Sequence, residues 1–191
     1  MLGFRKLEDA EAQEISSRVH DYWIEIYSGD IVSGADGIDN IFDREEKPEK
    51  VIERMQSGTV FEDVIDDLKT IGLIAYRPVA PTLYIDKLYL DDSERGHHLG
   101  NRILEHMFDM GRRAGCTRAE LVVSTSNPHA IKFYERNGFT IESEEEVPDG
   151  FGNSGYRYHM SLKFRIRRRF DCSAVIELFK TLQNSSYEEL L

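Results

Sequence analysis

From Thr82 to Leu90 side chains alternate in character, and from Leu99 the apolar spacing switches to three and four, so a strand, a turn and a helix follow one another. Upstream, Gly3 to Leu7 reads as a short strand. Glu8 to Tyr27 reads as an amphipathic helix with Ile15, Val19, Tyr22, Trp23 and Ile26 on its buried side. Ser28 to Gly37, with three glycines in ten residues, reads as a loop. Pro48 suits the first turn of a second helix, whose inner side is Val51, Ile52 and Met55 and which Gly58 stops. Two helices are therefore expected before the sheet.

Thr59 to Ile65 and Ile71 to Val79 are rich in β-branched and aromatic residues, and the polar stretch Asp66 to Thr70 joins them as an antiparallel hairpin. In the third strand strict alternation puts Leu83, Ile85, Lys87 and Tyr89 on one face, and Tyr84, Asp86, Leu88 and Leu90 on the other. Ile103, Leu104, Met107, Phe108 and Met110 carry the next helix to Gly111 and Gly115. Ala119 to Val123 is a short strand, Asn127 to Arg136 a short helix ending at Gly138, and Phe139 to Glu144 and Tyr156 to Phe164 two further strands. Strand, helix, strand around Leu99 needs a parallel crossover, whereas the hairpins on either side are antiparallel. The expectation is a single α/β domain over residues 1–164, with a mixed, mostly antiparallel sheet flanked by helices. A short C-terminal extension over 165–191 follows, helical from Ala174 to Leu182.

With 24 Lys and Arg against 35 Asp and Glu, the net charge of -11 argues against nucleic acid and anionic membranes and favours cationic acceptors. The run Arg165 to Arg169 lacks interleaved aromatic platforms and reads as a solvated strand exit or an internal clamp on acids. Cys116 and Cys172 have no metal or redox spacing, and His97 with His98 has no further ligands at recognisable spacing, so no metal is expected. The opening residues lack the order of a secretory signal and no apolar run is long enough to span a membrane, so a cytoplasmic protein is expected.

The turn Asp91-Asp-Ser-Glu-Arg95-Gly-His-His-Leu-Gly100 opens a helix whose first N–H groups have no partner inside it and carry roughly half a positive charge, which suits an anion. Together with Asn127-Pro-His-Ala-Ile-Lys-Phe-Tyr134-Glu-Arg-Asn-Gly-Phe139, this stretch resembles the GNAT superfamily of acetyl-coenzyme A-dependent N-acetyltransferases. The family's loop runs Gln or Arg, two residues, Gly, one residue, Gly or Ala. Arg95 and Gly100 meet it at the ends, and His98 stands where the central glycine belongs.

The resemblance implies that the backbone of Leu88, Tyr89 and Leu90 binds the pantetheine arm, that Arg95, Gly96, His97, His98, Leu99, Gly100 and Asn101 surround the pyrophosphate, and that Asn127 faces the pantetheine. It implies that Tyr134 protonates the departing thiolate, a step suited to a phenol with a reference pKa of about 10. The acceptor amine must lose a proton. Asp86, two residues before the pantetheine segment and on a face shared with Leu88, is the first choice of base and Glu120 on the neighbouring strand the second, directly or through water; the neighbouring-strand Glu of some relatives is Val122 here and is not carried over.

The order of elements is also similar to that of microbial polyamine acetyltransferases, with Glu62, Asp63, Asp66 and Asp67 as an acidic patch for a spermidine-like cation. Rival readings are a protein N-terminal or lysine acetyltransferase and a non-catalytic acyl-coenzyme A sensor. Family habit leaves a homodimer open.

Overall fold

A computed structural model describes residues 1–27, 34–96, 98–148 and 153–164. The strands are β1 (Leu2–Lys6), β2 (Val60–Asp66), β3 (Lys69–Val79), β4 (Thr82–Leu90), β5 (Arg118–Ser124), β6 (Thr140–Pro148) and β7 (Ser154–Lys163). They form one sheet in the order β1-β2-β3-β4-β5-β7-β6. Every neighbouring pair is antiparallel except β4 and β5, which run parallel across the helical crossover. This is the mixed, mostly antiparallel α/β fold the sequence implies. β6 and β7 extend further toward their shared turn than side-chain alternation suggested, because their outer residues are polar on both faces and leave no periodic signal.

Helices α1 (Ala12–Tyr27), α2 (Gly34–Glu45) and α3 (Pro48–Gln56) belong to one face of the sheet, where Ile15, Val19 and Val51 pack with Phe61, Leu73 and Ala75. Helices α4 (Leu99–Arg113) and α5 (Pro128–Arg136) cover the other, where Ile103, Leu104, Met107 and Tyr134 pack with Leu83, Ile85 and Leu121. Each fully buried aliphatic side chain in these clusters stabilises the fold by about 1.5–3 kcal/mol.

Two expectations need correction. Gly34 to Gly37 is the first turn of α2 rather than loop, so three helices precede the hairpin among the described residues; positions 28–33 lie outside them. Two glycines cost a helix about 1 kcal/mol each, and burial of Ile38 with packing of Phe42 against α1 offsets that cost. The strict alternation along β4 also fails. Ala75 pairs with Lys87 and Tyr76 with Ile85, so Asp86 is an extra residue with no partner on β3. Beyond this bulge the faces exchange. Leu83 and Ile85 join Leu88 and Leu90 beside α4, while Tyr89 packs under α1. The expected extension over 165–191 lies outside the described residues.

Candidate active site

The parallel ladder between β4 and β5 runs from Thr82↔Arg118 to Ile85↔Leu121 and stops there. β4 continues to Leu90 and β5 to Ser124, each held only by its outer neighbour, β3 on one side and β7 on the other. The bulge at Asp86 falls where the ladder ends and re-aims β4 away from β5. Between the two strands a slot opens, and the backbone groups of β4 beyond Asp86 face it unpaired by β5.

The start of α4 lies just past the end of β4. His98, its N-cap residue, sits in the left-handed region at φ 60° and ψ 12°, and no side chain caps the helix. Gly96 has φ 83°. His97 is outside the described residues. The Arg95 side chain turns back, donating from Nε to the Leu90 carbonyl at 3.2 Å and pairing with Asp92 at 3.0 Å and Glu25 at 2.7 Å, which ties the turn to α1. Gly100 serves helix packing: a Cβ there would stand 3.0 Å from the Phe133 ring of α5. Asn101 accepts a hydrogen bond from the Asn137 amide at 3.1 Å, a second link between these helices.

Asn127 caps α5 by accepting from the Ala130 N–H at 3.0 Å, and its amide also contacts the Tyr27 phenol at the end of α1. Tyr134 is buried, edge-on to Phe133 and Phe139 at centroid distances of 5.2 and 5.6 Å. Burial pushes its phenol well above the ordinary range, with the Tyr27 phenol adding to the effect, so it holds its proton at neutral pH.

On the α1–α3 face a cavity of about 1210 Å³ is lined by Trp23, Tyr27, Tyr84, Asp86 and Tyr89, among others. The Trp23 indole N–H donates to the Tyr89 hydroxyl at 2.9 Å, and Tyr22 stacks on Tyr89 at 4.9 Å while donating to Asp91 at 2.8 Å. Beneath lies an ionic cluster of two anions and two cations. Glu46 pairs with Arg54 and, at 2.8 Å, with Lys87; Asp86 pairs with Arg54 at 3.3 Å and Lys87 at 3.5 Å. Ser16 holds the chain here, its hydroxyl donating to the Glu46 carbonyl at 2.7 Å.

The structure thus gathers Asp86, Tyr89 and Glu120 in the cavity lining, whereas Leu88, Leu90 and Tyr134 pack on the α4 side and neither they nor Asn127 line the cavity; Asn127 and Tyr134 are linked to it through Tyr27, which does. Glu120 is ion-paired to Arg118 and lies in the row of Tyr84, before the slot opens; Val122 also lines the cavity. The acidic patch does not form as expected. Asp63 is buried and paired with Arg5 and Arg18, Glu62 is bonded to His106, Asp66 and Asp67 pair with the N-terminus, and none of the four lines the cavity. Successive strand residues point to opposite faces, so four acids close in sequence cannot make one patch.

Sequence reasoning missed Tyr27, Glu46 and Arg54. Arg54 had a signal, a charged residue three positions after Val51 on the inner side of α3. Lys87 had another, a lysine on a strand face otherwise apolar.

A splayed parallel pair beside a helix start without a side-chain cap is a frame for an extended arm with an anionic head, and the model of the acetyltransferase (GNAT) family matches residues 18–139. The chain belongs to the GNAT family. It is 31% identical over 75 residues to acetyltransferase Atu2258 of Agrobacterium fabrum, a stretch covering 39% of this chain and about half, 53%, of that relative. Among solved structures it is similar to the PaiA N-acetyltransferase of Thermoplasma acidophilum in complex with coenzyme A, with a TM-score of 0.67 at 21% identity over 86% of this chain and 99% of that one. It is similar also to yncA of Salmonella typhimurium with acetyl-coenzyme A, with a TM-score of 0.57 at 16% identity over 90% and 98%. At such identities the likeness is one of fold. Among the described residues of this GNAT chain, no three or more His, Cys, Asp or Glu gather as metal ligands, and no helix is long and apolar enough to cross a membrane.

Proposed function

We propose that the protein transfers the acetyl group of acetyl-coenzyme A directly to a primary amine bound in the cavity of the α1–α3 face. The observation that carries this reading is the end of the β4–β5 ladder at Ile85↔Leu121, beyond which β4 runs on to Leu90 without a β5 partner and is followed by the start of α4, which no side chain caps. The residues present suit the donor. The β4 backbone from Leu88 to Leu90 offers donors and acceptors to the amides of the pantetheine arm, with Asn127 across the slot. The N–H groups at the start of α4, from Leu99 to Asn101, with the loop at Gly96, His97 and His98, take the pyrophosphate. Arg95 acts at one remove, fixing the turn through Leu90, Asp92 and Glu25. When bound, acetyl-coenzyme A supplies an activated acyl group.

Tyr134 remains a protonated phenol and gives its proton to the leaving thiolate. The unpaired N–H groups of β4 stabilise negative charge on the acyl oxygen. Asp86, aimed into the cavity by the bulge, accepts the proton of the ammonium through water, with Glu120 as the reserve. No metal enters the scheme.

A polyamine acceptor is the finer expectation. Its supposed attractor on β2 lies outside the cavity, so spermidine enters as one member of a panel. The test is thiol release from acetyl-coenzyme A with spermidine, simple alkylamines, amino acids and short peptides bearing a free N-terminus or lysine. Turnover on a small amine is expected. Turnover on peptides alone would transfer the site to protein acceptors, and a coenzyme A-dependent rise in Tm with no thiol released on any amine would leave a sensor.

A further inference from the structure

The protein as a whole carries 24 basic against 35 acidic side chains, yet the cavity lining reverses the balance, with six Lys and Arg against five Asp and Glu. Pairing consumes most of these charges. Glu46 and Asp86 are matched by Arg54 and Lys87, Glu45 by Arg157 at 3.2 Å, and Glu120 by Arg118. Glu142 accepts from the Ser161 hydroxyl at 2.7 Å and the Thr140 hydroxyl at 3.0 Å. Two cations remain. Among the described residues neither Arg77 nor Lys163 has a carboxylate within 4.0 Å, and the half-buried Arg77 lies over the Tyr84 ring at 5.1 Å.

Strand register puts these cations at one end of the cavity. Arg77 pairs with Tyr84 across β3 and β4, and Tyr84 with Glu120 across β4 and β5. One step along, Thr82 pairs with Arg118, and Arg118 with Lys163 on β7. Alternation keeps Tyr84 and Asp86 on the cavity side, as it does Arg118 with Glu120 and Ser161 with Lys163. At this end Arg77, Arg118 and Lys163 face only Glu120 and Glu142. Tyr84 is two residues from Asp86, about 7 Å along the strand. A guanidinium held over a ring with no carboxylate partner is a preorganised receptor for an anion.

We propose that the Arg77, Arg118 and Lys163 end of the cavity binds an anionic group of the acceptor, so that the substrate is a small amino acid carrying amine and carboxylate in one molecule. This rests on the acetyltransferase reading above and narrows it. A polycation would meet Arg77 and Lys163 with like charge; an amino acid places its carboxylate there and its amine toward Asp86 and the slot.

The test uses the full chain with acetyl-coenzyme A and matched acceptors, 4-aminobutyrate against 4-aminobutanamide and glycine against glycinamide, with spermidine alongside. The carboxylate member of at least one pair is expected to have a KM about tenfold or more below its amide, the usual worth of a hydrogen-bonded charge pair. In Arg77→Gln and in Lys163→Gln that carboxylate-to-amide ratio of kcat/KM falls about tenfold, most of the loss residing in KM, a ratio insensitive to general loss of folded enzyme. Spermidine or the amides used as well as or better than the carboxylates, or an unchanged ratio in both variants, overturns the proposal while leaving acetyl transfer to amines intact. Should no amine be turned over, calorimetric titration of 4-aminobutyrate decides: binding weakened about tenfold by Arg77→Gln supports the subsite, and equal or absent binding refutes it.

Discussion

The ionic cluster at the β4 bulge yields the sharpest test of how the site is held. Lys87 is 3% exposed and Glu46 equally so, their charged atoms 2.8 Å apart, with Arg54 on the other side of Glu46 and Asp86 closing the group. Lys87→Met keeps the volume and removes one of two cations, leaving the buried Glu46 and the exposed Asp86 to share one guanidinium. Breaking a buried pair costs about 3–5 kcal/mol when the survivor is left alone, and Arg54 here retains part of the compensation, so about 2–3 kcal/mol is expected. Glu46→Gln, which leaves Lys87 and Arg54 facing only Asp86, should cost about the same. The double variant removes a matched pair, and a matched pair is often replaceable at little cost. Its destabilisation should therefore fall short of the sum of the singles, about 4–6 kcal/mol, by at least about 3 kcal/mol. Urea unfolding of the four proteins measures this coupling, and each single should lower Tm by about 4–12 °C for a chain of this size. Singles that add to within about 0.5 kcal/mol would refute the cluster as a cooperative unit.

Tyr134→Phe should lower kcat about a hundredfold while coenzyme A affinity, followed by calorimetry, stays within about twofold; an equal kcat removes the proton-donor role. Because burial raises Tyr134 above its ordinary value, any decline in kcat caused by its ionisation should begin only above about pH 10 in the parent enzyme. Stability should fall at alkaline pH for the same reason: burial holds Tyr22, Tyr76 and Tyr134 protonated in the fold after the unfolded chain has lost those protons near pH 10. The folded state then binds more protons than the unfolded one, so unfolding becomes easier as pH rises, by up to about 1.4 kcal/mol per pH unit for each tyrosine, which denaturant titrations at pH 9, 10 and 11 will show. His98→Gly relieves a left-handed backbone that costs a residue with a Cβ about 1 kcal/mol, less the entropy glycine gains on unfolding. Tm should rise by about 1–3 °C and the Kd for coenzyme A should not weaken; a loss of affinity would mean that the imidazole itself holds the ligand.

The order of strands, the parallel crossover and α4 were legible because each rests on a periodic run of apolar residues, as Ile103, Leu104, Met107 and Phe108 illustrate. The loop before α4 was legible as well, Arg95 and Gly100 marking its ends. Gly100 matches the last glycine of the family's loop, and in the fold it lets α5 approach α4 through Phe133. What escaped depends on contacts distant in sequence. The helix at Gly34 is stabilised by burial of Ile38 and packing of Phe42, which no local propensity reports. Glu46 and Arg54 read locally as surface charges and acquire their role only where Lys87, far along the chain, arrives on the other side of Glu46.

Asp86 shows how much function one unpaired residue can hold. In an unbroken ladder it would lie opposite a residue of β3, Leu83, Ile85, Lys87 and Tyr89 would share a face, and nothing would part β4 from β5. With one residue in excess, Lys87 and Tyr89 move to the α1–α3 face, where a lysine meets Glu46 and a tyrosine meets Trp23. Leu88 and Leu90 move to the α4 face and complete its apolar cluster. The strand bends where its ladder with β5 ends, so the slot and the cavity arise from the same defect. The cost of the lost pairing is offset by the ionic cluster on one side and leucine burial on the other. A bulge fastened in this way sets a single polar residue, without a partner on β3, at the wall of the cavity where the β4–β5 ladder ends.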